Sequence, residues 1–306
     1  STWSAGGAMI QGRWSTSGTG TEYAALAGGG NNPSIVGTTE EYYGETWAAG
    51  AAMITARGAS STAGLQNAAI QVGGGPGACS CTEEYNGTSW SAGGALNVAR
   101  RATVAAGTQN AALTTGGITS NAAESCTEEY DGTSWSVATG HTTCRKEGSL
   151  GGLQNSAFYG GGRENPSPYS STCTEHYDGN TWSTGGALGT ARYAGAVGAS
   201  GTQTAGLMVG GHAHGVGATV ACTEEYTSYV TSGSFGRISA TTFSGDGSKL
   251  TNTIPPSTVT SSAQIASDIS GSHTSGFSYT GTIGTTIGTW AAGAAKTTGT
   301  QGAAGA

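Results

Sequence analysis

Along residues 1–230, small and apolar residues alternate with polar ones in runs of a few residues, and the runs stop at glycines or polar turn signals. That pattern belongs to short strands with one face turned inward. A recurring unit divides into four of them. The first follows an arginine, as in Arg192-Tyr193-Ala194-Gly195-Ala196-Val197. The second is the segment Gly107-Thr108-Gln109-Asn110-Ala111-Ala112-Leu113, which runs to a glycine cluster. The third is the CTEEY segment that ends at Tyr130, and the fourth is the TSW segment that ends at Trp135. Between the last two lies Asp131-Gly132, or Asn86-Gly87 in the unit before. Both dipeptides favour two-residue hairpin loops, where the central positions need φ > 0.

The unit recurs with its markers in one order. Trp3, Trp47, Trp90, Trp135 and Trp182 are separated by 44, 43, 45 and 47 residues. Tyr42, Tyr85, Tyr130, Tyr177 and Tyr226 close the third strands, and glycine clusters at residues 28–30, 73–75, 116–117, 160–162 and 210–211 close the second. Arg57, Arg100, Arg145 and Arg192 each stand ten residues after a Trp, as Arg13 does after Trp3. A period of this length marks a solenoid or a propeller, and four antiparallel strands per unit make a propeller blade.

The double glycine followed by Tyr and then by Trp, as in Gly74, Tyr85, Trp90 and in Gly117, Tyr130, Trp135, resembles the kelch repeat. The resemblance covers residues 1–230 and implies an all-β, five-bladed kelch-like β-propeller. The chain enters at a fourth strand near Trp3, and the fifth unit lacks its TSW strand after Tyr226. Closure by the N-terminal strand, with Trp3 in the same blade as Tyr226, is therefore expected; it would remove two open sheet edges.

From Phe235 the pattern changes. Residues 236–243 alternate like a strand, and Gly245-Asp246-Gly247-Ser248-Lys249-Leu250-Thr251-Asn252 is similar to elements of phage tail-fibre proteins, which are typically trimeric. Pro255-Pro256 marks a linker, and residues 262–269 suit a short helical turn. Residues 231–288 are thus read as an extended, β-rich fibre-like connector. Trp290-Ala291-Ala292-Gly293 repeats Trp47-Ala48-Ala49-Gly50, so residues 289–306 are read as the start of a further unit or a truncated tail. The chain reads as one piece of a longer modular polypeptide, and the whole resembles appendage proteins of marine tailed phages.

Composition agrees with a folded repeat protein. Glycine is abundant, at 56 residues, while the 7 Trp and 12 Tyr recur at fixed offsets that a disordered chain would lack. The net charge is −7 and no basic run exists, which argues against nucleic-acid binding. No apolar run suits membrane insertion. Cys81, Cys126, Cys173 and Cys222 hold one repeat position, which predicts reduced, buried thiols; Cys79 and Cys144 fall outside the pattern and leave a bridge between them open.

Nine of the 18 acidic residues lie in the third strands, among them Glu84 and Glu129. Neighbouring strand residues point to opposite faces, so a catalytic carboxylate pair is not expected there. A structural role is expected instead, with one Glu per unit bound to a repeat arginine. Arg57, Arg100, Arg145, Arg192, Glu84, Glu129, Trp47, Trp90, Trp135 and Trp182 form this structural set. No catalytic residue and no cofactor is assigned: nucleophile elbow, phosphate loop and HExxH are all missing, as is the Tyr–Cys–His set of kelch-type copper oxidases. His212 and His214 are the one candidate metal pair, at i and i+2 of an extended segment. The loops after the glycines vary most and are the expected binding elements, with Arg163, Glu164, Asn165, Tyr169, His212 and His214 the candidate ligand-binding residues.

The expected function is a structural virion appendage (tail fibre, spike or head fibre) at the virion surface. It would be homotrimeric, in contact with other virion proteins, and able to engage a host-surface glycan. The alternative is a bacterial extracellular filament or adhesin module; a secreted glycan-active enzyme ranks last.

Overall fold

The computed structural model describes residues 4–120, 122–164, 170–197, 202–213, 219–227 and 289–292. Among them there is no helix, and the strands form five four-stranded antiparallel sheets and two two-stranded ladders. The first sheet holds Ser17–Gly20, Ala25–Gly28, Thr39–Tyr42 and Trp47–Ala49. The second holds Ser61–Leu65, Ala68–Val72, Thr82–Tyr85 and Trp90–Ala92, and the third Val104–Thr108, Ala111–Thr115, Thr127–Tyr130 and Trp135–Ala138. Ser149–Leu153, Ser156–Gly160, Thr174–Tyr177 and Trp182–Thr184 make the fourth; Ala196–Val197, Ala205–Val209, Thr223–Thr227 and Thr289–Ala292 make the fifth. Strand order in every sheet follows the chain.

Three local expectations are corrected. The Gly107–Leu113 segment is not one strand but a hairpin, with Gln109-Asn110 as its turn. The turn holds Gln109 where its Nε2 donates to Ala69 O at 3.0 Å and Tyr85 O at 2.8 Å in the preceding sheet. The loop at Asp131-Gly132 spans four residues, since Tyr130 lies opposite Trp135. There the Asp131 carboxylate accepts the N–H groups of Thr133 and Ser134 at 2.9 and 2.8 Å, so the side chain builds the turn and only Gly132 needs φ > 0.

The third correction concerns closure. The fourth strand of the fifth sheet is Thr289–Ala292, with Trp290 opposite Tyr226, in the register that sets Trp90 opposite Tyr85. Residues near Trp290 thus complete the fifth sheet, in the place expected for the N-terminal strand. Both segments carry the same pattern, Trp-Ser-Ala-Gly at Trp3 and Trp-Ala-Ala-Gly at Trp290, so pattern alone could not choose between them. Trp3 itself lies outside the described residues. Residues 230–286, with the fibre-like elements read there, also lie outside the described residues.

An apolar cluster lies between each pair of consecutive sheets. Leu26, Met53, Ala69, Tyr85 and Trp90 join the first to the second. Ile70, Leu96, Ala112, Tyr130 and Trp135 join the second to the third. Leu113, Leu150, Tyr177 and Trp182 join the third to the fourth, and Phe158, Leu188 and Met208 the fourth to the fifth. Many of these positions are alanine, so apolar burial per joint is modest and hydrogen bonds carry much of the registration.

Those bonds repeat. Ala59 N–H donates to Ser15 O at 3.1 Å, Ala102 to Ala59 at 2.7 Å, Glu147 to Ala102 at 3.1 Å and Ala194 to Glu147 at 2.7 Å. All five residues sit at φ of 50–57°, a left-handed conformation that costs a non-glycine residue about 1–2 kcal/mol. The result is a girdle linking one residue per unit. A second bond runs from the double glycine to the next unit, as in Gly117 N–H to Arg145 O at 3.0 Å. A Cβ on its neighbour Gly116 would stand 2.7 Å from Arg145 O, which is why the pair is glycine.

Candidate functional site

Each unit buries one arginine against one glutamate. Arg100 Nη2 lies 2.7 Å from Glu128 and Arg145 Nη2 2.6 Å from Glu175; Arg13, Arg57 and Arg192 pair likewise with Glu40, Glu83 and Glu224. These guanidinium groups also donate to backbone, Arg100 Nη1 to Cys126 O at 2.6 Å and Arg145 Nη1 to Cys173 O at 2.8 Å. Glu128 accepts the N–H groups of Asn97 and Val98 besides. The pair therefore ties the segment entering a sheet to that sheet's third strand.

Glu84 and Glu129 do not take part in it. They project from the opposite face and accept from Tyr130 at 2.5 Å and Tyr177 at 2.8 Å, tyrosines of the following sheet. Alternation along a strand told that one Glu of each pair meets Arg, but not which one. The Trp residues complete the joint: Trp90, Trp135 and Trp182 donate through Nε1 to Thr39, Thr82 and Thr127 of the preceding sheet at 3.0–3.1 Å. Trp47 donates to Gly7 O at 3.1 Å. A polar set repeated at every unit fixes geometry in many places and converges on none.

Irregularity is concentrated at the end of the sheets that carries the double glycines. There Arg163–Glu164 pairs with Arg145–Lys146, and Lys146 lies opposite Arg163. Arg163 Nε sits 2.7 Å from a Glu147 carboxylate oxygen, which holds the guanidinium charged, and the guanidinium carbon lies 4.4 Å from the Tyr193 ring centroid. Tyr193 in turn stacks on His212, with centroids 5.4 Å apart. Glu164 accepts from the Ser171 hydroxyl at 2.7 Å. Three planar groups and a carboxylate thus meet at the surface, with Arg163 and Glu147 one third and one quarter exposed. Such an arrangement offers fixed donors, an acceptor and ring surfaces for recognition.

Of the candidate loop residues, Arg163, Glu164 and His212 come to this end, while Asn165, Tyr169 and His214 lie outside the described residues. The His212–His214 metal pair is therefore not described as a pair; the His212 ring is engaged with Tyr193. Glu147 and Tyr193 were missed. A signal existed: Trp14, Gly58, Arg101, Lys146 and Tyr193 are the residues directly after the repeat arginines, and they vary as the loops do.

The cysteines depart from expectation. Cys79 is bridged to Cys81, a repeat cysteine, across Cα atoms 5.2 Å apart. Cys144 is a free, exposed thiol, and Cys126, Cys173 and Cys222 are free and half-buried. Only this unit carries a second cysteine two residues earlier; the others hold Glu124, Ser171 and Val220 there.

No family model matches the chain, and no curated protein matches it.

Proposed function

We propose that the chain is a five-bladed, kelch-like β-propeller module of a virion appendage, homotrimeric in its particle, that binds a host-surface glycan at its glycine end and does not catalyse. The Glu147–Arg163–Tyr193–His212 cluster carries this reading: it is an irregular, partly exposed recognition surface on a scaffold whose other polar groups are bound up in repeated joints. Ring closure has support of the same kind. Thr223 Oγ1 is buried without a partner, at the position where Thr39, Thr82 and Thr127 accept a Trp of the following sheet. In a closed ring the following Trp is Trp47. The girdle would close by Ser15 N–H donating to Ala194 O.

A glycan array probed with the full chain, beside electron microscopy of the same sample, tests both parts. Capture on sugar and a five-lobed ring in projection are expected; an open arc would sink the propeller, and an array without signal would sink the binding role. The Cys79–Cys81 bridge favours a second setting for the same module, an extracellular bacterial filament, because such bridges persist in oxidising surroundings.

A further inference from the structure

Eight lysines and arginines lie among the described residues, and five of them are the buried repeat arginines. The other three are Arg101, Lys146 and Arg163. They are not scattered. All three sit at the glycine end, in the third and fourth units. Arg101 and Lys146 directly precede Ala102 and Glu147, whose backbones are joined at 3.1 Å in the girdle. The bonded path keeps their Cα atoms within about 12 Å, a span that two long side chains can bridge to one ligand. Lys146 lies opposite Arg163 in the adjoining ladder.

Among the described residues three carboxylates share this end, and each accepts a hydrogen bond. Glu147 holds Arg163, Glu164 accepts from Ser171, and Glu124 accepts from the Thr119 hydroxyl at 2.8 Å. Among the described residues neither Arg101 nor Lys146 has an ion-pair partner. The opposite, hairpin end carries the exposed carboxylates Glu22, Glu45, Asp131 and Asp178, and no described cation. Among the described residues the three cations thus balance the three carboxylates at the glycine end, while the hairpin end is net negative, so anions are repelled less at the glycine end and meet its cations there.

We infer that Arg101, Lys146 and Arg163 form an oxyanion-binding site, and that the glycan taken at this end is acidic, carrying carboxylate or sulfate. This rests on the glycan reading above and narrows it. The Tyr193–His212 stack beside Arg163 gives sugar rings a surface, while Arg101 and Lys146 supply the unpaired charge. No covalent step is involved.

Calorimetric titration of the full chain tests it with three probes: an oligouronate, a sulfated oligogalactan, and the carboxyl-reduced, uncharged form of the first. Either charged probe should bind, the uncharged form should bind at least about tenfold more weakly, and affinity should fall as salt rises. Arg101→Ser and Lys146→Ser should each weaken binding about tenfold, with unchanged melting, and Glu45→Gln at the far end should leave it unaltered. Equal binding of charged and uncharged forms overturns the site, as does indifference to both substitutions. Capture of neutral glycans alone on the array overturns the acidic specificity and leaves the glycan reading standing; capture of no sugar overturns both.

Discussion

The Tyr177 hydroxyl donates across a sheet joint to the Glu129 carboxylate at 2.8 Å, and Tyr130 and Tyr85 do the same to Glu84 and Glu41. At the last of these joints the partner changes to an imidazole, with Tyr226 Oη 2.8 Å from His176 Nε2. Burial, then the bond to Glu84, pushes the Tyr130 phenol up to about 12 from its usual 10. A raised folded pKa means the contribution is complete below pH 10 and is lost as pH rises through about 12. Ultraviolet titration of phenolate should therefore show Tyr85, Tyr130 and Tyr177, all raised by burial and a carboxylate bond, ionising together with unfolding. Tyr177→Phe should lower stability by about 1–2 kcal/mol in denaturant melts; an unchanged midpoint would remove the bond from the joint.

Removing the Arg100 guanidinium strands the Glu128 carboxylate in a site where both are fully buried. Arg100→Ala should cost about 3–5 kcal/mol, and Arg100→Lys should recover little, because a point charge cannot reach both Glu128 and Cys126 O. Replacing the pair together, Arg100→Met with Glu128→Leu, should cost much less than Arg100→Ala. Chemical denaturation of the three variants checks the ordering.

The repeat was legible because its markers are chemically specific. Trp and Tyr five residues apart gave the pairing of third and fourth strands, and the double glycines marked where backbone crowds backbone. The girdle was not legible. Its left-handed positions are Ser15, Ala59, Ala102, Glu147 and Ala194, residues that carry no local signal for φ > 0, because the bond to the next unit imposes the conformation. The Arg163–Tyr193–His212 cluster was half legible for a similar reason. Arg163 and Glu164 stood in one variable loop and His212 in the next, but Glu147 and Tyr193 belong to the approach to first strands, and only the fold brings these regions together.

His141 is buried with neither ring nitrogen hydrogen-bonded, against Tyr159 and Trp182 at 5.0 and 5.9 Å and with its Nδ1 3.9 Å from Glu175. Burial, and next the positive charge of Arg145, push its pKa from 6.5 to about 4. The folded state thus binds the proton less well than the unfolded chain. Its contribution is complete above pH 6.5 and is lost as pH falls to about 4, by about 3 kcal/mol across that window. His141→Phe should flatten this part of the stability profile measured by denaturant melts between pH 7 and about pH 4.

Thiol chemistry should separate the free cysteines. Cys144 is exposed, whereas burial raises the thiol pKa of Cys126 and Cys173 and lowers their thiolate fraction. Maleimide followed by peptide mass mapping, without reductant, should label Cys144 first. Cys79 and Cys81 should become reactive only after reduction.

Thr82 and Thr223 hold the same place in their sheets but differ in company. Thr82 Oγ1 accepts from Trp135 Nε1 at 3.0 Å, while Thr223 Oγ1 is buried with no partner. Thr82→Val should cost about 1–2 kcal/mol by stranding the indole N–H. The outcome at Thr223 depends on whether the fifth sheet meets the first. In an open array, Thr223→Val removes a buried hydroxyl that makes no bond and should be neutral or stabilising. In the closed ring proposed above, Thr223 serves Trp47, whose indole N–H also donates to Gly7 O, so the substitution should be destabilising but cost less than Thr82→Val. A double-mutant cycle with Trp47→Phe, read in denaturant melts, then gives a coupling of about 1 kcal/mol. Zero coupling, together with a neutral Thr223→Val, would place Trp47 and Thr223 in separate surroundings and end the case for closure.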